Sequence, residues 1–435
     1  MIGDGIAFSA MVGLGETYVP AFALAAGHGD LAAGLVATLP MLAGAVLQLA
    51  TPLGVRRLGS YRAWVVLCAR LQAASLLPLA VWALLGRIPL PWLFVAASAY
   101  WGFGMSTLPA WNAWAGALVP SYLRARFFAR RTRYAQAALF LALISAGLVL
   151  DRGSRQLGGT TAFGILFALA AFARLVSARY LARQSEPPGL AASHRALPLA
   201  QIRAGLRGRE AKRVLLYLLG MQVAVQISAP YFTPFMLGPL ALSYAHFTAL
   251  LAMSFVARIA VLPWLGRLAR ARGAGFVLRA GAVAIVPLPP LWLVSDSFGY
   301  LLALQACAGV AWGAVELATL LAFFEGLAPE ERTSVLTVYN LASAGALAMG
   351  ALAGAALFRA TGGGYDAFAV LFVVSALGRV LTLPLLVRVR GSGRPPEDLE
   401  LPTVAVRPSI GAVQRPVLPG PEGADDDPER RTDAL

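Results

Sequence analysis

Lysine is almost missing from this chain: Lys212 is the only one, so a formal net charge of +15 rests almost entirely on arginine. Charged residues make up 13% of the chain against 58% hydrophobic, about half the charged share of a soluble domain. Residues 1–390 contain almost no long polar stretch, which argues against a water-soluble α/β enzyme. Cysteine occurs as Cys68 and Cys307 alone, each inside an apolar run, so neither a disulfide framework nor a thiolate metal cluster is on offer. Histidine is restricted to His28, His194 and His246, far apart in sequence. HExxH, GxSxG and GxxxxGK[ST] are absent from the sequence, so hydrolysis and ATP-driven chemistry have no residues to carry them. No enzyme activity, cofactor or metal is expected.

What fills the chain instead is apolar runs of membrane length. A hydrocarbon core about 30 Å thick takes about 20 apolar residues as helix. Twelve such runs fall at roughly 5–26, 31–54, 63–86, 90–119, 134–151, 161–183, 213–237, 242–265, 275–295, 299–327, 334–358 and 365–388. The first begins at once and contains Asp4 and Glu16, which suits a retained helix better than a cleaved leader. Residues 184–212 read as a basic, proline-containing linker with a short amphipathic helix around 199–213. Residues 391–435, rich in proline, glycine and charge, read as a disordered tail. The arginines sit in alternate loops. One set carries Arg56, Arg57, Arg62, Arg124, Arg126, Arg130, Arg131, Arg133, the linker, Arg267, Arg270, Arg272, Arg279, Arg332, Arg388, Arg390 and Arg394. The other carries Arg87, Arg152, Arg155 and Arg359. Positive charge of this pattern faces an anionic cytoplasmic leaflet rather than nucleic acid, which puts both termini in the cytoplasm of an inner plasma membrane.

The chain also repeats itself. AFARLVSARYLAR (171–183) returns as ALGRVLTLPLLVR (376–388), pairing Arg174 with Arg379 and Arg183 with Arg388 at an offset of 205. YWGFGMSTLPAWNAWAGALVP (100–120) lies over GVAWGAVELATLLAFFEGLAP (309–329) at an offset of 209, matching Gly104 with Gly313 and Pro120 with Pro329. The fold expected is an all-α membrane protein of twelve transmembrane helices in two pseudo-symmetric six-helix halves, 1–183 and 213–390. PSYLRARFFARRTR follows the fourth run, PEERTS follows the tenth, and TPLGVRRLGSYR follows the second. With the 6 + 6 topology over about residues 5–388, these loops resemble those of the major facilitator superfamily of secondary transporters. Arg57 and Gly59 match that family's loop between the second and third helices, while Arg56 stands where it usually has aspartate. The resemblance implies structural or gating roles for Arg57, Gly59, Arg124 and Arg126. It also implies a central cavity lined by helices one, four, seven and ten.

Charges within the spans are costly, so each demands a reason. Glu16 and Glu316 fall at similar depth in the first and tenth runs, where a carboxyl group could carry a proton or attract a cationic solute. A protonated acid hydrogen-bonded for structure is the alternative. Trp101, Asn112, Gln222, Gln226, Tyr231 and Trp312 fall on the same set of runs and complete a candidate solute- and ion-binding set. Trp111 and Trp114 fit an interfacial belt. Arg174 and Arg379 lie nine residues from a cytoplasmic arginine, about 13 Å of helix. Snorkelling or pairing near the inner face accounts for them; Arg70 and Arg258 also fit snorkelling, although Arg258 could instead meet an anion. The function expected is secondary transport of a small organic solute, coupled to protons or another ion, by a monomer in the bilayer. Export is favoured over uptake because acids and aromatics mark the runs without a central lysine or arginine. A transporter-like sensor or scaffold and a polytopic membrane enzyme are the alternatives. Single cysteines at Ser60 and Ser154, with Cys68 and Cys307 replaced, should label from opposite sides of the membrane. Labelling of both from one side would refute the span count.

Overall fold

The computed structural model describes residues 1–156, 158–188, 190, 209–325 and 329–387. The tail expected at 391–435 and most of the helix expected around 199–213 lie outside them. Among the described residues, eleven helices are long and apolar enough to cross a membrane: Ile2–Ala25, Gly29–Gln48, Tyr61–Leu84, Arg126–Gln156, Thr161–Ala182, Leu215–Leu237, Tyr244–Arg272, Ala274–Leu291, Phe298–Thr319, Ala342–Ala360 and Gly364–Leu386. Leu90–Leu118 supplies the remaining crossing. Its Trp, Tyr, Pro, Gly and Asn residues lower its mean hydropathy, although its 29 residues reach about 43 Å. The twelve spans are numbered below in chain order. Large apolar side chains such as Phe172, Leu377 and Leu381 remain exposed around the bundle, a surface suited to lipid.

Two segments expected as loops are helical. The fifth span starts at Ser121 and runs 36 residues to Gln156, about 54 Å against a hydrocarbon core of about 30 Å. Its arginine-rich first turns therefore project past the membrane as helix, consistent with the good helix propensity of Arg and Ala. PEERTS opens the eleventh span, Pro329–Ala360. Proline at a first helical position loses no hydrogen bond, and the following glutamates suit a helix N-terminus. The seventh span begins at Arg209 rather than 213.

The chain marks its own boundaries. Ser60 caps the third span, accepting a hydrogen bond from the Ala63 amide at 3.0 Å, and Ser243 caps the eighth in the same way through His246 at 3.2 Å. Gly59 ends the helix Thr51–Leu58 in the left-handed region, φ 61°, a conformation that glycine adopts without strain. Both halves also break their leading helix. In the first, Ile2–Leu14 gives way to a 3₁₀ turn at Glu16–Tyr18 and then Val19–Ala25. In the second, Arg209–Ser228 gives way to Ala229–Tyr231 and then Phe232–Leu237. The breaks align Tyr18 with Tyr231. Gly15 stands at the first break, where a Cβ would meet that of Ala170 at 2.9 Å, so glycine lets the first span lie close against the sixth.

The halves meet along two seams. The fifth span lies on the eighth, and the second lies on the eleventh. In one seam the Tyr18 hydroxyl donates to the Leu143 carbonyl at 2.9 Å and pairs with the Thr248 hydroxyl at 2.9 Å. Gly147 abuts Thr248, and the Phe140 and Phe255 rings stack at 5.9 Å. Beside the other seam, Gly34 of the second span receives the Tyr231 ring, which a Cβ there would meet at 2.6 Å. Tyr18, Gly34, Gly147 and Thr248 all lie toward the arginine-poor end of the bundle. A valine at Gly147 should cost this closed arrangement about 1–3 kcal/mol by overpacking. A cysteine placed at Leu143 should then react faster with a reagent applied from the arginine-poor side. An unchanged rate would show that the Gly147–Thr248 contact does not control closure.

Candidate functional site

Three buried or half-buried polar clusters occupy the spans. The first is at the break of the first span. Glu16 is half-buried there, and the Tyr100 hydroxyl of the fourth span donates to its Oε2 at 2.7 Å. The Trp101 ring stands edge-on to Tyr100 at 5.9 Å. A 3₁₀ turn interrupts the α-helical hydrogen-bond ladder, so backbone polar groups and a carboxylate occur together at one depth. This pattern resembles the ion- and solute-binding breaks of membrane carriers.

The second cluster ties four spans of the first half together. Arg174 is 2% exposed. Its Nε donates to Gln72 Oε1 at 2.7 Å and its Nη1 to the Ser177 hydroxyl at 2.9 Å; Ser177 in turn donates to Asp4 Oδ1 at 2.8 Å. Arg131 completes the chain with a 3.0 Å ion pair to Asp4 Oδ2, while its guanidinium covers the Trp111 ring at 4.3 Å. Arg174 also lies over the Phe8 ring at 4.9 Å. The expected snorkelling of Arg174 is therefore corrected: its charge is met inside the bundle by Asp4 through Ser177. Gly104 makes room for the Gln72 amide.

The third cluster lies in the second half. Arg258 Nη1 donates to Glu316 Oε1 at 2.9 Å, both side chains being almost fully buried. Gly313 accommodates the Arg258 side chain, with a would-be Cβ 3.2 Å from its Cγ. The repeated pair Gly104 and Gly313 thus performs one task twice, admitting a long polar side chain against the fourth or tenth span. Arg258 does not snorkel, because a carboxylate meets it first. Arg379, the repeat partner of Arg174, is also buried; its Nη1 donates to the Ile285 carbonyl at 2.6 Å and its Nη2 to Ser228 at 3.5 Å. Ile285 is the C-cap of the helix Ala274–Ala284, so the guanidinium satisfies a free carbonyl at a negative helix end.

The remaining expected positions divide. Asn112 is half-buried on the fourth span. Gln222 and Gln226 are buried, and Gln226 abuts Gly350 of the eleventh span. Tyr231 is buried against Gly34 and stacks on Phe358 at 5.4 Å, placing it in packing between helices. Trp312 is buried in the second half, one turn from Glu316. Arg57 and Arg126 are exposed, while the side chain of Arg124 lies outside the described residues. Trp114 is not an interfacial belt residue: it is buried and its Nε1 donates to the Ser185 carbonyl at 2.9 Å.

The roles of Tyr100, Asp4, Gln72 and Ser177 were not anticipated, nor was Glu316 as the anion that Arg258 meets. Asp4 carried a usable signal, since an acid inside an apolar run needs a partner as much as Arg174 does. Tyr100 carried none, being 84 residues from Glu16 and an ordinary aromatic in an apolar helix.

A profile of the Major Facilitator Superfamily matches residues 6–342. Among solved structures, the nucleoside transporter NupG superposes with a TM-score of 0.67 at 12% identity, covering 89% of this chain and 97% of that one. The POT family transporter PepTSo gives 0.69 at 11% identity, with 89% and 97% covered. A bacterial homolog of the human lysosomal transporter Spinster, inward-facing and unoccupied, gives 0.59 at 14% identity, with 89% and 92% covered. At these identities the likeness establishes the fold. Among curated proteins, none matches.

Removing one member of a buried ion pair strands the other charge, at a cost of about 3–5 kcal/mol. Glu316→Gln should therefore lower the thermal unfolding midpoint of the detergent-solubilised protein sharply. The double change Arg258→Met with Glu316→Leu should recover most of the loss. A single variant as stable as the parent would show that the pair is not closed in the membrane protein.

Proposed function

This chain belongs to the major facilitator superfamily, and from that premise we propose that it is a secondary transporter moving a small organic solute by alternating access, with protons as the coupling ion. Membrane transport is the activity of the family. The proton coupling and the solute class are our reading; the preference for export loses its ground, because Arg174, Arg258 and Arg379 are buried within the spans. One observation carries it: the half-buried carboxylate of Glu16 sits at the helix break of the first span, bonded to Tyr100 of the fourth. Glu316 is the less suitable proton carrier, because Arg258 already holds its carboxylate. Trp101 and Asn112, on the same span as Tyr100, are assigned to the solute-facing wall. Aromatic faces there suit flat or cationic organic solutes.

The conformation agrees with such a cycle. The contacts of Tyr18 with Thr248 and of Gly34 with Tyr231 join the halves toward the arginine-poor end. At the arginine-rich end, the polar contacts of Asp4 with Arg131, Trp114 with Ser185, and Glu186 with Ser60 and Tyr61 all stay within the first half. With the arginine-rich end read as cytoplasmic, we take this as an inward-facing arrangement. Solute flux in proteoliposomes separates this reading from a sensor, which binds its solute without moving it.

Glu16→Gln should abolish transport driven by a pH gradient while leaving solute exchange at equal pH largely intact, because the amide keeps the shape of the site but carries no exchangeable proton. Full gradient-driven transport by the variant would refute the assignment of Glu16.

A further inference from the structure

The sixth and twelfth spans carry matching arginines whose surroundings do not match. In the first half the guanidinium of Arg174 reaches a carboxylate through one hydroxyl: Arg174 to Ser177, then Ser177 to Asp4. In the second half Thr382 replaces Ser177 and turns away, donating to the Arg379 carbonyl at 2.7 Å and lying 4.0 Å from Met221 Sδ. The register set by the aligned helix breaks places Tyr217 where the first half has Asp4. Tyr217 is fully buried and its hydroxyl has no partner. The repeat therefore kept the cation and lost the acid. Among the described residues, Arg379 forms no ion pair with an Asp or Glu.

This guanidinium, which no described carboxylate meets, borders a cavity. A space of about 20 Å³ lies among the seventh, eighth, ninth, tenth and twelfth spans, with Arg379, Gln305, Ser254 and Trp312 in its lining. All four are at least nine-tenths buried. Arg379 Nε and Gln305 Nε2 have no hydrogen-bond partner. Both are donors, and one belongs to a permanent cation. The volume is that of a single water or a single small ion. The Ile285 carbonyl and the helix end behind it offset part of the charge, but they do not engage Nε.

We propose that this cavity is a binding site for one monatomic anion of chloride size, held by Arg379 and Gln305. Two unsatisfied donors, one of them on a guanidinium that no described carboxylate neutralises, favour an acceptor that also carries negative charge. A neutral water would satisfy both donors but leave only the Ile285 carbonyl and the Ser228 hydroxyl against the buried positive charge. The space suits one monatomic ion better than sulfate, phosphate or a carboxylate-bearing solute, and residues of the second half line it. The site is therefore separate from the one assigned to the transported solute, and it stands whether or not that assignment holds.

The test uses the purified full-length protein in detergent, titrated with sodium chloride or bromide against sodium gluconate at constant ionic strength. Thermal unfolding should shift upward and saturate with either halide but not with gluconate or sulfate. Gln305→Leu, which removes one donor and keeps the charge, should raise the apparent halide dissociation constant about tenfold, as expected for one hydrogen bond to a charged group. Arg379→Gln should abolish the halide response. If that variant fails to fold, a bromide anomalous peak within hydrogen-bond distance of Arg379 Nε in crystals of the unaltered protein gives the same answer. A halide shift that survives Gln305→Leu unchanged, the absence of any halide-specific shift, or a water at that position in bromide-grown crystals would overturn the proposal.

Discussion

A guanidinium cannot be taken out of water without something to meet it, and this constraint orders the interior of the bundle. Desolvating an ion costs several kcal/mol even after relaxation, and the spans place three arginines at or below 2% exposure. Each is met differently: Arg258 by a direct carboxylate, Arg174 by a carboxylate one hydroxyl away, Arg379 by a backbone carbonyl at a helix end. Each solution draws distant spans together. Arg174 requires the third and first spans beside the sixth, Arg258 requires the tenth beside the eighth, and Arg379 requires the break in the ninth beside the twelfth. The packing of each half follows from where these charges find partners.

Small residues make that convergence possible. Gly104 and Gly313 leave the volume into which Gln72 and Arg258 extend, and Gly15 lets the first span approach the sixth at its break. The ninth span ends its first helical piece at Ile285 ahead of Pro287, Pro289 and Pro290. A proline-rich stretch has too few N–H donors to continue the ladder, so a carbonyl is left for Arg379. In this chain a proline and an arginine on different spans solve each other's problem.

The architecture was legible because it is written in long-period features. Apolar runs of about 20 residues, arginines in alternate loops and a repeat at offsets of 205 and 209 need no side-chain geometry to be read. The arginine-rich segment after the fourth span illustrates the limit: PSYLRARFFARRTR looked like a loop because it is charged, yet from Ser121 onward it is helix. Charge reports contact with water, not conformation. The clusters were legible only in part. Glu16 and Glu316 stand out as acids in apolar helices, but their partners Tyr100 and Arg258 come from other spans, and nothing local in sequence links them. The fate of Arg174 and Arg379 was misread for the same reason. Distance from a membrane face suggested snorkelling, whereas a buried counter-charge or carbonyl, visible only once the spans are assembled, holds each of them.

The distribution of polar contacts also separates what holds from what gives. Within each half, the bonds that would strand a charge if broken are the strong ones, about 3–5 kcal/mol for a buried ion pair. Between the halves, the arginine-poor seam is made of stacked rings, glycine faces and the hydroxyl pair of Tyr18 and Thr248. A neutral hydrogen bond of that kind contributes about 1 kcal/mol net, and aromatic contacts are rebuilt readily on another surface. No ion pair crosses between the halves among the described residues. Parting the seam therefore leaves no buried charge exposed to lipid, whereas deforming a half would. The same electrostatic constraint that makes each half rigid leaves the boundary between them as the place where the structure can yield, which is the mechanical requirement for a carrier that opens to one side at a time.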